Sequence, residues 1–336
     1  MTSITVNARF RVRPVTGVER VADEVLARLD GPTIPLQPPE WAAVGTAGHI
    51  WEQAVLPRRA QGTLWSPCNT GPLHSGSHVV TIHDTAPLRE PEWFGRGFGA
   101  AYRFLIPRLC RSATAIVTVS DSVADELLAL GAEVGRLHVI ENGVSDWCRP
   151  AAAVEIDRVR RRWDLDDSPY FVALGSLDPR KNLGRLLEAW RGAQVGDAQL
   201  VLVGEAAGHV FREVTVDAHP RVRVLGRVGD ADLAALLSGA TALVSVSLYE
   251  GFGLPPIEAL GCGTPVVVSD IPAHRTSTGS FDPTVVDPLD PASIRGGLES
   301  VLRDPPTVDS EGVRGRYSWA KAAAAYDALF AAVGGS

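Results

Sequence analysis

Lysine is nearly missing: Lys181 and Lys321 are the only two in 336 residues, and arginine carries the rest of the positive charge. Cysteine is scarce too. Cys68, Cys110, Cys148 and Cys262 lie far apart with no C-x-x-C pair, which argues against a disulfide framework or a thiolate zinc site and for a reducing, cytoplasmic setting. No run of about 18 apolar residues occurs, so no membrane span is expected. The opening Met1-Thr2-Ser3-Ile4-Thr5-Val6 has no basic segment ahead of an apolar one, so no secretory leader is expected either. Net charge is −7, which argues against nucleic acid as a partner. Walker, G-x-G-x-x-G and G-x-S-x-G motifs are all lacking, which disfavours NTPase, dehydrogenase and esterase chemistry.

What is present is an α/β pattern. With 45% hydrophobic residues, 336 residues suffice for two cores of roughly 150 residues each. Strand-length apolar runs at residues 4–10, 79–83, 115–120 and 137–140 alternate with helical spacing at 17–30, 98–111 and 122–130. Ser122, with Asp125 three residues on, reads as a helix cap. Residues 142–150, Asn-Gly-Val-Ser-Asp-Trp-Cys-Arg-Pro, interrupt the alternation and read as a linker. Strands then recur at 170–175, 200–204, 222–225, 242–246 and 265–269, with helices at 182–191, 230–237, 290–302 and 319–330 and another opening at 255–260. The expected fold is therefore two Rossmann-like, doubly wound parallel-sheet domains, whose strand C-terminal ends face a shared cleft. The boundaries expected are 1–143, completed by a terminal helix at 318–336, and 144–317.

The densest chemistry lies in Tyr249-Glu250-Gly251-Phe252-Gly253-Leu254-Pro255-Pro256-Ile257-Glu258. Gly251 and Gly253 let backbone approach a ligand, and Pro255 suits the first turn of a helix. Glu250 is expected on the loop, facing the ligand, and Glu258 about one turn into the helix, where a carboxylate can accept from a ribose diol. A second cluster, Gly175-Ser176-Leu177-Asp178-Pro179-Arg180-Lys181-Asn182, follows a strand and opens a helix, which together with two cations makes an anion site. Asp164-Leu165-Asp166 and Asp230-Ala231-Asp232 look like metal-binding D-x-D pairs, but they read as a turn and a helix N-cap, and no metal is expected. Arg96, Arg103, Arg108 and Arg111 lie on or beside an apolar helix that could touch a membrane surface, at the inner face if the chain is cytoplasmic. Solvated arginines on a core helix are the preferred reading.

Glu250-x7-Glu258 in this setting resembles the signature of the family-4 retaining glycosyltransferases of the GT-B fold, the mannosyltransferase-like group 1 enzymes. The resemblance continues through Arg180-Lys181, Gly204, Leu225-Gly226-Arg227-Val228, Asn142-Gly143-Val144 and Trp319. It implies that Glu250 and the amides of Gly251, Phe252, Gly253 and Leu254 meet the donor sugar while Glu258 holds the ribose. Arg180 and Lys181 would grip the diphosphate beside Gly175 and Ser176, Gly204 would end a strand at the ligand, and Arg227 would border the base. His83, at a strand end, resembles a family histidine near the reacting sugar. Asp84 would orient it or meet the acceptor, and Thr16-Gly17 resembles a thinner version of the acceptor and phosphate loop. Residues 65–73 are expected as a further loop. One departure stands out: Thr276 follows His274-Arg275 where relatives often carry glutamate.

The function implied is retaining, metal-independent transfer of a hexosyl group from a nucleotide-diphosphate sugar, without a separate cofactor. GDP-mannose is favoured over UDP- and dTDP-sugars, and the acceptor is a glycan, a lipid-linked glycan or a small molecule. A nucleotide-sugar epimerase, or a binding protein with a degenerate acceptor side, remains as the rival reading.

Overall fold

The computed structural model describes residues 3–12, 16–43, 45–165, 167–205 and 219–335. They divide into two units. The first comprises Met1–Pro91, Arg96–Gly143 and Tyr317–Ser336, and the second Glu92–Gly95 and Val144–Arg316.

The first unit is built on strands β1 (Ile4–Asn7), β2 (Thr33–Leu36), β3 (Thr63–Ser66), β4 (His78–Ile82), β5 (Ala115–Thr118) and β6 (Leu137–Val139). All pair in parallel, in the order β2-β1-β3-β4-β5-β6. Val-Val-Thr-Ile in β4 is buried from end to end, as a strand covered by helices on both faces requires. Its core gathers Val80, Ile82, Ile106, Leu109, Ile116 and Leu127. The terminal helix Trp319–Gly334 belongs to this unit. Its Tyr326 and Phe330 rings stand 5.1 and 5.8 Å from Trp65, and the Tyr326 hydroxyl lies 2.9 Å from Thr81 Oγ1. Gly143 is required where that helix begins, because a Cβ there would lie 2.3 Å from the Trp319 nitrogen.

The second unit carries β7 (Tyr170–Leu174), β8 (Gln199–Val203), β9 (Val222–Gly226), β10 (Ala242–Ser245), β11 (Val266–Ser269) and β12 (Thr284–Val286), in the order β12-β11-β10-β7-β8-β9. These too are parallel throughout. Phe171 and Trp190 meet edge to face at 5.6 Å in its core. The chain runs outward from β7 to β9, then returns to β7's other side with β10. The sheet therefore reverses direction between β7 and β10, the point where doubly wound sheets bind ligands.

Several local expectations change. The first strand stops at Asn7 and turns into a short 3-10 helix, Ala8–Val12. The helix after it is Gly17–Leu26, shorter than its periodicity indicates. Trp65 and Ser66 are strand rather than loop. The helix Asp121–Ala129 is capped by Ser120, whose hydroxyl accepts from the Val123 N–H, and not by Ser122. In Asp230-Ala231-Asp232 the cap is Gly229, and Asp232 instead accepts from Arg158 and Arg162 at 2.6 and 2.8 Å. Asp164 adopts a left-handed turn (φ 51) and pairs with Arg223, while Asp166 lies outside the described residues.

Candidate active site

Two turns meet at the β7–β10 reversal. After β7, Gly175 (φ +136) swings the chain into Ser176-Leu177-Asp178 and a 3-10 turn, Pro179–Lys181. Asp178, fully buried, shapes that turn: its carboxylate accepts from the Arg180 N–H at 2.9 Å and from the Ser176 hydroxyl at 2.5 Å. Arg180 and Lys181 thus sit in the 3-10 turn just ahead of the helix Leu183–Gly192. After β10 the chain passes through Ser247 to Glu250, and two links clamp it to the β7 turn. The Leu248 N–H donates to the Arg180 carbonyl at 2.9 Å. Asn182, left-handed at φ 57, donates its side-chain amide to the carbonyls of Val246 (3.1 Å) and Pro288 (2.7 Å).

Glu250 is where the turns converge. Its carboxylate accepts from Arg180 at 2.5 Å, Lys181 at 2.7 Å and the Ser247 hydroxyl at 2.8 Å. The residue is buried, not displayed to solvent as a loop glutamate would be. Burial pushes its pKa upward, but the adjacent charges of Arg180 and Lys181 outweigh that and hold the carboxyl well below the ordinary range. Arg180, Lys181 and Glu250 are thus in direct contact, while Glu258, expected beside them, is buried on the helix that follows.

The glycines pack the strand ends tightly. Lys181 lies across Gly175, where a Cβ would come within 2.8 Å of its side chain. Gly204 (φ +137) abuts Gly175 so closely that a Cβ would stand 1.9 Å from the Gly175 carbonyl oxygen. The Gly204 N–H donates to the Gly226 carbonyl at 2.8 Å, which ties β8 to β9, and Arg227 follows Gly226 on an exposed loop. Beside the β7 turn is a small, partly open cleft lined by Gly175, Ser176, Lys181, Ser245 and Ser247, among others.

Beyond Glu250, Gly251 leads into buried Phe252, and Gly253 (φ +92) caps the helix Leu254–Gly261. Pro255 and Pro256 have no N–H, so they remove two of the backbone donors that the first turn of that helix would otherwise offer. Glu258 is buried on the same helix, in its second turn. His274, which sequence reasoning did not single out, is fully buried against this turn. A Cβ on Gly253 would lie 3.0 Å from its ring, and its Nδ1 is 3.2 Å from the Ser269 carbonyl.

In the first unit, His83 follows β4. Its Nε2 donates to the Pro67 carbonyl at 2.7 Å, which leaves Nδ1 without a proton, and its backbone N–H donates to the Asn69 side chain at 2.7 Å. Burial lowers its pKa to about 4, so the ring is neutral. Pro67 and Asn69 orient it, while Asp84 accepts from the Ala86 N–H at 3.0 Å. Thr16 precedes the helix that Gly17 opens, and its N–H donates to the Glu19 carboxylate at 3.0 Å. A buried pair next to β1 was also missed: Arg9 and Glu52 are 2.6 Å apart, and Glu52 also accepts from Asn7 and Thr70, both at 2.9 Å.

A pH dependence follows from three buried histidines. Burial holds His78, His83 and His274 at pKa values of about 4, against 6.5 when free. Between those values the unfolded chain binds protons that the fold refuses, so stability falls as pH falls. The loss between pH 7.5 and 5.0 is about 2 kcal/mol per histidine. Urea unfolding at both values is the check, and equal midpoints would refute the burial of these rings. Glu250 adds nothing in that window, because its contribution is lost only below the ordinary carboxylate range.

The chain matches the family described as "Glycosyl transferases group 1" over residues 155–316 and "Glycosyltransferase Family 4" over residues 63–146. It is similar to O-antigen chain mannosyltransferase B of Escherichia coli, at 29% identity over 236 residues, covering 67% of this chain and 61% of the relative. It is also similar to alpha-maltose-1-phosphate synthase of Mycobacterium tuberculosis, at 27% identity over 74% of this chain and 71% of the relative. Its fold resembles that of Anabaena HepE in complex with UDP-glucose, with a TM-score of 0.75, 15% identity and 98% of each chain covered. The match to the Escherichia coli protein thus leaves more than a third of that relative's length outside it.

Proposed function

The chain belongs to the group 1 glycosyltransferases of the GT-B fold, and on that premise we propose that it moves a hexosyl group from a nucleoside-diphosphate sugar to a hydroxyl acceptor. The second unit takes the donor, and the first receives a glycan, lipid-linked or small-molecule acceptor. The observation that carries this reading is the convergence of Arg180, Lys181 and Glu250 at the β7–β10 reversal, beside the close-packed turns of Gly175 and Gly204.

That arrangement suits departure of a diphosphate. As the bond from the sugar's anomeric carbon to the phosphate oxygen breaks, negative charge grows on the leaving group, and two cations held in a partly dry turn stabilise it without reorganising. Glu258 takes the ribose diol. The acceptor oxygen then bonds to the anomeric carbon on the face the phosphate leaves, and its proton passes to a phosphate oxygen. The outcome is retention of configuration without a metal. Among donors GDP-mannose is placed first, because the Escherichia coli relative is named a mannosyltransferase; HepE, solved with UDP-glucose, keeps uridine donors in the comparison.

Thermal unfolding with GDP, UDP, dTDP and their sugars tests this reading. The donor nucleotide at a hundred times its Kd stabilises the fold by about 2.7 kcal/mol. Glu258→Ala is expected to remove that shift while leaving the unfolding temperature without nucleotide within a few degrees. A shift that survives in Glu258→Ala would contradict the ribose assignment, and an NMR spectrum showing an inverted anomeric linkage in the product would contradict retention.

A further inference from the structure

Arg180 and Lys181 have no spare charge. Both bind the Glu250 carboxylate, at 2.5 and 2.7 Å, and the fully buried Asp178 lies 3.7 Å from the other Arg180 nitrogen. Two cations therefore face two carboxylates, and a diphosphate that reaches the cations must take them from Glu250. Asp178 cannot be the group that yields. Its carboxylate also holds the Arg180 N–H and the Ser176 hydroxyl, and so builds the turn itself. Glu250 stands on the facing turn, and one hydroxyl, Ser247, is the other side chain that holds it.

We propose that Glu250 is an internal counter-ion which the donor's diphosphate displaces from Arg180 and Lys181, and which the sugar hydroxyls then receive. This rests on the assignment of the second unit to the donor, and adds to it a basis for telling donor from product. Displacing Glu250 takes away the Arg180 and Lys181 charges that hold its carboxyl low against burial, and a buried carboxylate left without donors is costly. With an intact nucleotide sugar, the hydroxyls of the sugar supply those donors. With the bare nucleoside diphosphate nothing replaces them, so the pairing of Glu250 with its cations competes against the product and aids its release. The apparent affinity for any bare diphosphate is lowered by the fraction of molecules in which the pairing holds.

The experiment is calorimetric titration of GDP, UDP, inorganic pyrophosphate and the matching nucleotide sugars into the wild type, Glu250→Gln, Glu250→Asp and Lys181→Ala. Glu250→Gln is expected to tighten binding of the nucleoside diphosphate and of pyrophosphate on the order of tenfold, and to narrow the preference for the sugar-bearing donor. Glu250→Asp keeps the charge but withdraws it by one methylene, so it tightens binding a few-fold, and it serves if the glutamine variant fails to fold. Unchanged or weaker diphosphate binding in the folded Glu250 variants, with binding abolished in Lys181→Ala, overturns the counter-ion role and leaves the donor site standing. Binding that is indifferent to Lys181→Ala, or no binding of any probe to the wild type, overturns both.

Discussion

Lys181→Ala is expected to lower kcat/KM for sugar transfer by about 10²–10³-fold, the usual loss when one preorganised group that stabilises a leaving anion is removed. Nothing nearby can substitute. Lys181 lies along Gly175, where the backbone leaves room for its side chain, and Arg180 approaches the same carboxylate through its other oxygen. The fold is expected to survive, because Glu250 keeps Arg180 at 2.5 Å and Ser247 at 2.8 Å and is not left as an isolated buried charge. Steady-state kinetics beside a thermal melt separate the two effects. A loss below tenfold with an intact melt would mean that the leaving diphosphate lies elsewhere.

Gly204→Ala carries the largest stability cost among the substitutions considered. The backbone there stands at φ +137, a region side chains rarely adopt, and the added carbon would sit 1.9 Å from the Gly175 carbonyl oxygen. Neither backbone can retreat freely: Gly175 N–H donates to the Val203 carbonyl at 3.0 Å, and Gly204 N–H to Gly226 at 2.8 Å. A loss of more than about 3 kcal/mol, or failure to fold, is expected. Gly296→Ala provides the contrast. It lies within the helix Pro291–Arg303 with nothing in reach of an added carbon, and should gain about 0.5–1 kcal/mol. Urea unfolding of both variants is the check. Similar midpoints for the two would show that the strand ends do not pack as described.

Much of this site was legible in the sequence because its geometry is local. A strand, a glycine and a basic pair stand within a dozen residues at 170–181, and Glu250, two glycines and two prolines within another seven at 250–256. Which two turns would face each other depended on strand order, and so on the resemblance of both motifs to a single family. The occupancy of Glu250 was not legible. A glutamate before glycine reads as exposed, and it is the links from Leu248 to the Arg180 carbonyl and from Asn182 to the Val246 carbonyl that bring the basic turn onto it. His274 was hidden for a similar reason. Its neighbour Gly253 is 21 positions away, and a lone histidine on a short helix has no pattern to mark it. In the first unit, Arg9 and Glu52 pair across 43 positions, and the four-residue strands β2 and β3 carry no pattern that sets them apart from the loops around them. Ser120 outcompeted Ser122 as a cap because the last residue before the helix has the extended backbone a cap needs, and Ser122 is already inside it.

The claim on which the rest depends is that Arg180 and Lys181 receive the diphosphate of a sugar donor. A crystal structure of the chain with its tightest-binding nucleoside diphosphate tests it most directly. The account predicts phosphate oxygens within hydrogen-bond distance of Lys181 Nζ and the Arg180 guanidinium, with the Glu250 carboxylate moved off both. A nucleotide seated elsewhere, while Glu250 keeps its two cations, would contradict it.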